Sequence, residues 1–206
     1  MGRTRDRLLR QQEIVKGDVM TPTQKLNATI AAWKDCTDCA IGTRAKNHVF
    51  WRGFPPPVPL VFIGEGPGRR EDEQGIPFVG RAGVLLNEML DDAGLLTHNH
   101  PLAITNLVCC RPCDKPNGPN RAPTTEETRN CAPRLQTMLN IFRPRTVTLL
   151  GKTASFTWNE NPPINNVVIF HLYHPAYTLR SGGKGSTAYN ETVRLLTLLR
   201  KGVFGK

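Results

Sequence analysis

The feature that most constrains the fold is a strand-sized apolar run that ends abruptly in glycines. Val61, Phe62 and Ile63 lead into Gly64, Gly66 and Gly68, and then into the charged cluster Arg69, Arg70, Glu71, Asp72 and Glu73. Pro77 and Phe78 follow, before a second bend marked by Gly80 and Gly83. An unbroken apolar strand has no face for water, so it belongs inside a sheet that is covered on both sides. A glycine-rich turn at the C-terminal end of such a strand is where α/β proteins hold ligands, because the missing Cβ lets backbone N–H groups approach a bound molecule. Pro67, the acidic cluster and the lack of a helical pattern directly behind the turn argue against a dinucleotide fingerprint.

The rest of the chain repeats the alternation of strand and helix. Residues 102–108, 147–150 and 166–170 read as further apolar strands. Residues 82–93 place Val84, Leu85, Met89 and Leu90 at helical spacing, with Gly94 as a stop; residues 187–200 do the same with Val193, Leu196 and Leu199. Thr124 and Glu127 form a capping box for a helix to about residue 139, interrupted early by Pro133. A short helix is expected at 152–158, mild helicity at 27–34, and another short helix near 7–15. Residues 47–59 read as a proline-rich connector and 171–186 as a long loop. These elements predict an α/β fold: a single-domain three-layer α/β/α sandwich with a central, mostly parallel four-stranded sheet. At 206 residues the chain suits one such domain, expected over 26–206 behind a basic N-terminal extension at 1–25.

The formal net charge of +10 points to a polyanionic partner, with nucleic acid favoured over a membrane surface. The apolar runs are too short to span a bilayer, and the N-terminus has basic residues without the apolar stretch of a secretory signal. A cytoplasmic, reducing location is therefore expected, where six cysteines suit a metal centre better than disulfides. Cys36 and Cys39 form a C-x2-C pair that can grip one centre from a single turn. Cys109, Cys110, Cys113 and Cys131 complete the set. Adjacent residues face opposite ways, so only one of Cys109 and Cys110 is expected at a given centre. Cys110 and Cys113 repeat the C-x2-C spacing, which leaves iron–sulfur and structural zinc both open.

His48, His98 and His100 read as surface residues. His171 and His174 flank the end of the last strand, with no third metal ligand near them in sequence. The stretch after His174 carries Tyr177, Leu179, Arg180 and Lys184 among glycines. Apolar, aromatic and basic side chains on one loop suit insertion into a nucleic-acid groove, with the cations on phosphates.

Taken together, C-T-D-C at 36–39, the glycine-rich stretch at 64–83, ITNLVCCRP at 104–112, NRAPTTEETRNCAP at 120–133, GKTA at 151–154 and HPAYTLR at 174–180 resemble the iron–sulfur-containing, thermophile-type uracil-DNA glycosylases of family 4. The likeness covers nearly everything between residues 34 and 199. It implies a 4Fe–4S cluster of structural role on Cys36, Cys39, Cys110 and Cys131, with structural zinc as the alternative. It also implies a base pocket: Glu65 and Gly66 at the uracil edge, Phe78 stacked on the flipped base, and Asn106 reading O4 and N3. Glu71 and Asn120 would line the catalytic pocket, and His174 would donate to O2 as negative charge builds there. The implied reaction is hydrolysis of the N-glycosidic bond of uracil in DNA by a monomeric, monofunctional enzyme that leaves an abasic site.

Two departures stand out. Gly66 occupies the position where other uracil glycosylases carry a water-activating aspartate, an absence shared across family 4. The stretch 111–119, with Cys113, is longer than the family's passage from the third cysteine to the Asn-Arg pair. A relative acting on a larger or modified pyrimidine is therefore the second expectation. A catalytically silent, cluster-containing DNA-binding module is the third.

Overall fold

The computed structural model describes residues 20–160 and 162–205; the helix expected near 7–15 lies outside them. Helix α1 (Pro22–Trp33) opens on a Thr21 capping box closed by Gln24, with proline at its first position. It begins earlier than residue 27, so the domain boundary expected between 25 and 26 falls inside a helix. There follow β1 (Trp51–Gly53), β2 (Leu60–Gly64), α2 (Arg69–Gln74), α3 (Arg81–Asp92), β3 (Leu102–Asn106), α4 (Thr125–Phe142), β4 (Thr146–Leu150), α5 (Lys152–Glu160), β5 (Val168–Leu172), α6 (Pro175–Arg180) and α7 (Thr187–Phe204).

The strands form one sheet in the order β1-β3-β2-β4-β5, parallel throughout except for β1, which runs antiparallel to β3. The expected four-stranded sheet is thus five-stranded among the described residues. The added strand is the three-residue β1, with Trp51 opposite Thr105 and Gly53 opposite Ala103. Three residues beside a run of prolines carry no period of their own, and this strand exists only because the β3 edge offers it partners.

Side chains alternate along β2 into two cores. Val61 and Ile63 meet Leu26 and Trp33 of α1, Leu135, Met138 and Phe142 of α4, and Trp158 of α5. Leu60 and Phe62 face Leu86, Met89 and Leu90 of α3 with Leu196 and Leu199 of α7. This is the three-layer α/β/α sandwich. Helix α4 runs unbroken through Pro133, contrary to expectation. A proline forfeits one backbone hydrogen bond, and the buried face of Leu135, Met138, Leu139 and Phe142 outweighs that loss.

Two short helices also replace expected irregular segments. Helix α2 stands directly behind the glycine turn, where no helix was expected, and stops at Gly75 in the left-handed region (φ 73°). Six residues of sequence RREDEQ are too short and too polar to show a helical period. Helix α6 occupies the start of the expected 171–186 loop, with His174 as N-cap and Pro175 at its first position.

Connections from β2 leave toward β3, while the chain returns past β2 to form β4 on its other side. The C-terminal ends of β2, β3, β4 and β5 therefore open on one crevice at the switch in strand order, the place where open α/β sheets bind ligands. Replacing the wholly buried Phe62 by alanine is expected to destabilise the fold by about 3–5 kcal/mol, measured by urea unfolding with the slope unchanged.

Candidate active site and cysteine centre

A cleft of about 660 Å³ lies over those strand ends. Glu65 and Gly66 from the β2 turn, Glu71 from α2, Phe78, Asn106 from the end of β3, Asn120, and His174, Leu179 and Arg180 from α6 all line it. Of the expected pocket and groove residues, only Tyr177 and Lys184 stand apart. Tyr177 is exposed and its ring lies tilted against that of Tyr173, with centroids 5.0 Å apart. Lys184 pairs with Asp92 at 3.4 Å and lies over the Tyr189 ring, on the seam between α3 and α7.

Asn106 is buried, and its Oδ1 has no hydrogen-bond partner among the described residues. Parallel register sets Asn106 beside Gly64. A Cβ at Gly64 would stand 2.5 Å from both Asn106 Oδ1 and Phe78 Cζ, so glycine there makes room for the amide and the ring together. Phe78 holds a left-handed backbone (φ 57°), uncommon for a bulky residue and costing about 1–3 kcal/mol. The first turn of α3 fits closely beneath it: a Cβ at Gly83 would sit 1.9 Å from the Phe78 carbonyl oxygen. Strain maintained in this way at a cleft marks a side chain whose direction matters.

His174 faces Phe78 across the cleft at a ring-centroid distance of 6.2 Å. Its Nδ1 accepts a hydrogen bond from the Ala176 N–H at 3.1 Å, the capping bond of α6. That bond assigns the neutral ring's proton to Nε2. Burial lowers the imidazole pKa to about 4, helped by the positive charge of Arg180 and opposed by Glu71. The site thus presents a neutral imidazole with one N–H to give.

Glu71 is nearly buried, and its Oε1 accepts from the Gly80 N–H at 2.8 Å. Asn120 Oδ1 accepts from Arg111 Nε at 2.6 Å. The same buried guanidinium donates to the carbonyls of Pro116 and Gly118, so Arg111 is the core of the 111–119 insertion. Pro112 touches the cleft, packed where a Cβ on Gly66 would intrude, but residues 113–119 do not line it.

Sequence reasoning missed Arg69, Arg70, Arg81 and Arg121, all on the cleft. Arg121 is occupied by Glu127 and Asp114, and Arg69 donates to the Asn117 carbonyl at 2.8 Å. Arg70, Arg81 and Arg180 form no ion pair among the described residues. Their signal was the net charge, which says that cations are in excess without saying where.

A second, much smaller cavity, of about 10 Å³, is lined by Cys36, Cys39, Cys109, Cys110 and Cys131. The fold therefore gathers the C-x2-C pair that follows α1, the segment after β3 and the first turns of α4. Both Cys109 and Cys110 face it, where only one was expected; their sulfurs lie 3.9 Å apart, with Cys109 Sγ 3.7 Å from Cys131 Sγ. Burial raises the Cys39 thiol pKa. Cys113 is buried outside this cavity. Among the described residues no three His, Cys, Asp or Glu side chains converge as ligands of a single ion. His171 lies apart from both sites, with its Nδ1 2.8 Å from Ser155 Oγ. No helix among the described residues is long and apolar enough to cross a membrane.

Residues 52–197 match the model of the uracil DNA glycosylase superfamily. The chain is 37% identical over 161 residues to a type-4 uracil-DNA glycosylase of Thermotoga maritima, spanning 72% of this chain and 80% of the relative. Against the type-4 uracil-DNA glycosylase of Archaeoglobus fulgidus it is 36% identical over 162 residues, 79% of this chain and 72% of the relative. Against that of Sulfurisphaera tokodaii it is 32% identical over 165 residues, covering 70% and 71%. Fold, cleft and likeness agree, and the chain belongs to the uracil-DNA glycosylase superfamily, in its type-4 family.

Proposed function

We propose that this protein hydrolyses the N-glycosidic bond of uracil in DNA, as a monofunctional glycosylase that leaves an abasic site. One pairing carries the reading: the unpartnered Asn106 Oδ1 and the neutral His174 share a cleft closed on one side by a strained Phe78. A buried acceptor left unpaired costs about 1–3 kcal/mol, which a ligand N–H recovers. Uracil offers an N3–H to Oδ1 and an O4 to the amide nitrogen, whereas cytosine reverses both. Reaching that edge requires the base to leave the stack, and Phe78 supplies the face on which it rests.

As the C1′–N1 bond breaks, its electron pair passes to the uracil ring and O2 gains charge. His174 Nε2–H donates to that oxygen, in a site whose burial keeps the donor neutral. The sugar becomes cationic, and the Glu71 carboxylate, anchored by the Gly80 N–H, offsets that charge until water adds at C1′ and gives its proton to the departing uracil anion. Arg70, Arg81 and Arg180 meet the phosphates, with Leu179 as the apolar wedge. Among the described residues the cleft lining includes no lysine, which supports hydrolysis without strand cleavage. Because 113–119 stay outside the cleft, uracil is favoured over a larger pyrimidine.

The cysteine cavity fits the cluster that family membership implies. Five cysteines line this one cavity, a sulfur donor set that suits an iron–sulfur cluster, with structural zinc as the alternative. Cys36, Cys39, Cys110 and Cys131 would hold it, and when bound it braces α1 and α4 against the strand end that carries Asn106.

On uracil-containing oligonucleotides, His174→Ala or Asn106→Ala is expected to slow base release by on the order of 10²–10³-fold, while melting temperature stays near that of the unaltered protein. DNA left intact by the unaltered protein, or release of another modified base in preference to uracil, would overturn the assignment. With His174 neutral down to about pH 4, the single-turnover rate should show no fall centred near 6.5 as pH drops from 8 to 5. Cys110→Ala or Cys131→Ala should lose iron and visible absorbance, and Cys113→Ala should retain both.

A further inference from the structure

Arg134 is wholly buried, yet no Asp or Glu among the described residues pairs with it. A guanidinium does not give up its proton in proteins, so a full positive charge sits in the core. A buried charge without an opposite partner is strongly unfavourable. The chain segments it touches carry the cysteines of the second cavity: Leu107, whose carbonyl it binds, stands two residues before Cys109, and Cys131, Cys109 and Cys110 all line that cavity. Cys131 lies three residues before it on α4, hence on the same helix face. The other end of the guanidinium grips the end of β3. Nη2 donates to the carbonyl oxygens of Asn106 at 2.8 Å and Leu107 at 2.7 Å, and Nη1 reaches Thr105 Oγ1 at 3.3 Å.

We propose that Arg134 is a positioning residue that couples the cysteine centre to base readout: thiolates bound to metal hold its charge, and it holds the backbone of Asn106. The inference rests on the glycosylase reading above, and it assigns no chemistry to Arg134 itself. Ligands of a metal site lend their geometry to neighbours through such outer contacts, whose removal typically changes affinity or activity about 10–100-fold.

The test compares binding to DNA carrying 2′-fluoro-2′-deoxyuridine, whose fluorine resists the cationic sugar and blocks cleavage, with binding to the same sequence without uracil. Fluorescence anisotropy gives the ratio for the unaltered protein, Arg134→Met, Arg134→Lys, Asn106→Ala and the Arg134/Asn106 double variants, each with its iron content measured. Arg134→Met should lower the uracil preference about 10-fold with undamaged-DNA affinity unchanged, and Arg134→Lys should lower it less. The Asn106→Ala double variant should prefer uracil no less than Asn106→Ala alone, because both changes act on one contact. Chelation of the unaltered protein should reproduce the Arg134→Met ratio. Additive effects in the double variant, or an unchanged ratio in Arg134→Met, would overturn the coupling. Should Arg134→Met fail to fold, the same cycle with Arg134→Lys decides. Absence of any uracil preference in the unaltered protein would instead sink the glycosylase reading, and with it this one.

Discussion

The parallel pairing of β2 with β3 on one side and β4 on the other is the constraint on which the rest depends. It sends three strand ends to one edge, β5 joins them through its parallel pairing with β4, and the β2–β3 register sets Gly64 beside Asn106. A slip of one residue would turn Asn106 to the opposite face of the sheet and place a different side chain beside the Phe78 ring. The apolar alternation of β2, with Val61 and Ile63 into one core and Leu60 and Phe62 into the other, is what prevents that slip. Core packing on both faces thus fixes a polar geometry at the edge.

Electrostatics divides the molecule in two. At the mouth of the cleft, arginines supply the positive field that a net charge of +10 announces. Within the same cleft, burial reverses the preference and holds His174 neutral. One cleft therefore combines several arginines with an uncharged imidazole that has an N–H to give. The cation of Arg134 is the exception to this division, charged and wholly buried, and it binds the carbonyl of Asn106.

Much was legible from the chain because it was local or repeated. The core strands, α3, α7, the capping box of Thr124 and the switch from strand to glycine turn each follow from side-chain period or backbone preference. What escaped had no period to show. Strand β1 has three residues, α2 six charged or polar ones, and α6 opens on His174-Pro175 at what sequence marks as a loop. Pro133 misled in the other direction, since a local penalty was read without the apolar face that outweighs it. Nothing near Arg111 and Arg134 in sequence reveals that the carbonyls they bind are folded onto them.

By itself the sequence determined the α/β class, the family and the residue types that glycosidic cleavage needs, because each resides in short contiguous patterns. Only the tertiary structure decided which of those residues meet. It placed Leu179 and Arg180 in the cleft, left Lys184 on a seam with Asp92, and set Cys109 in the cavity beside Cys110. The glycine-rich turn after β2 illustrates the difference. Its composition announces a ligand, but Gly64 is required because an asparagine and a phenylalanine, both distant in sequence, occupy the space its Cβ would take.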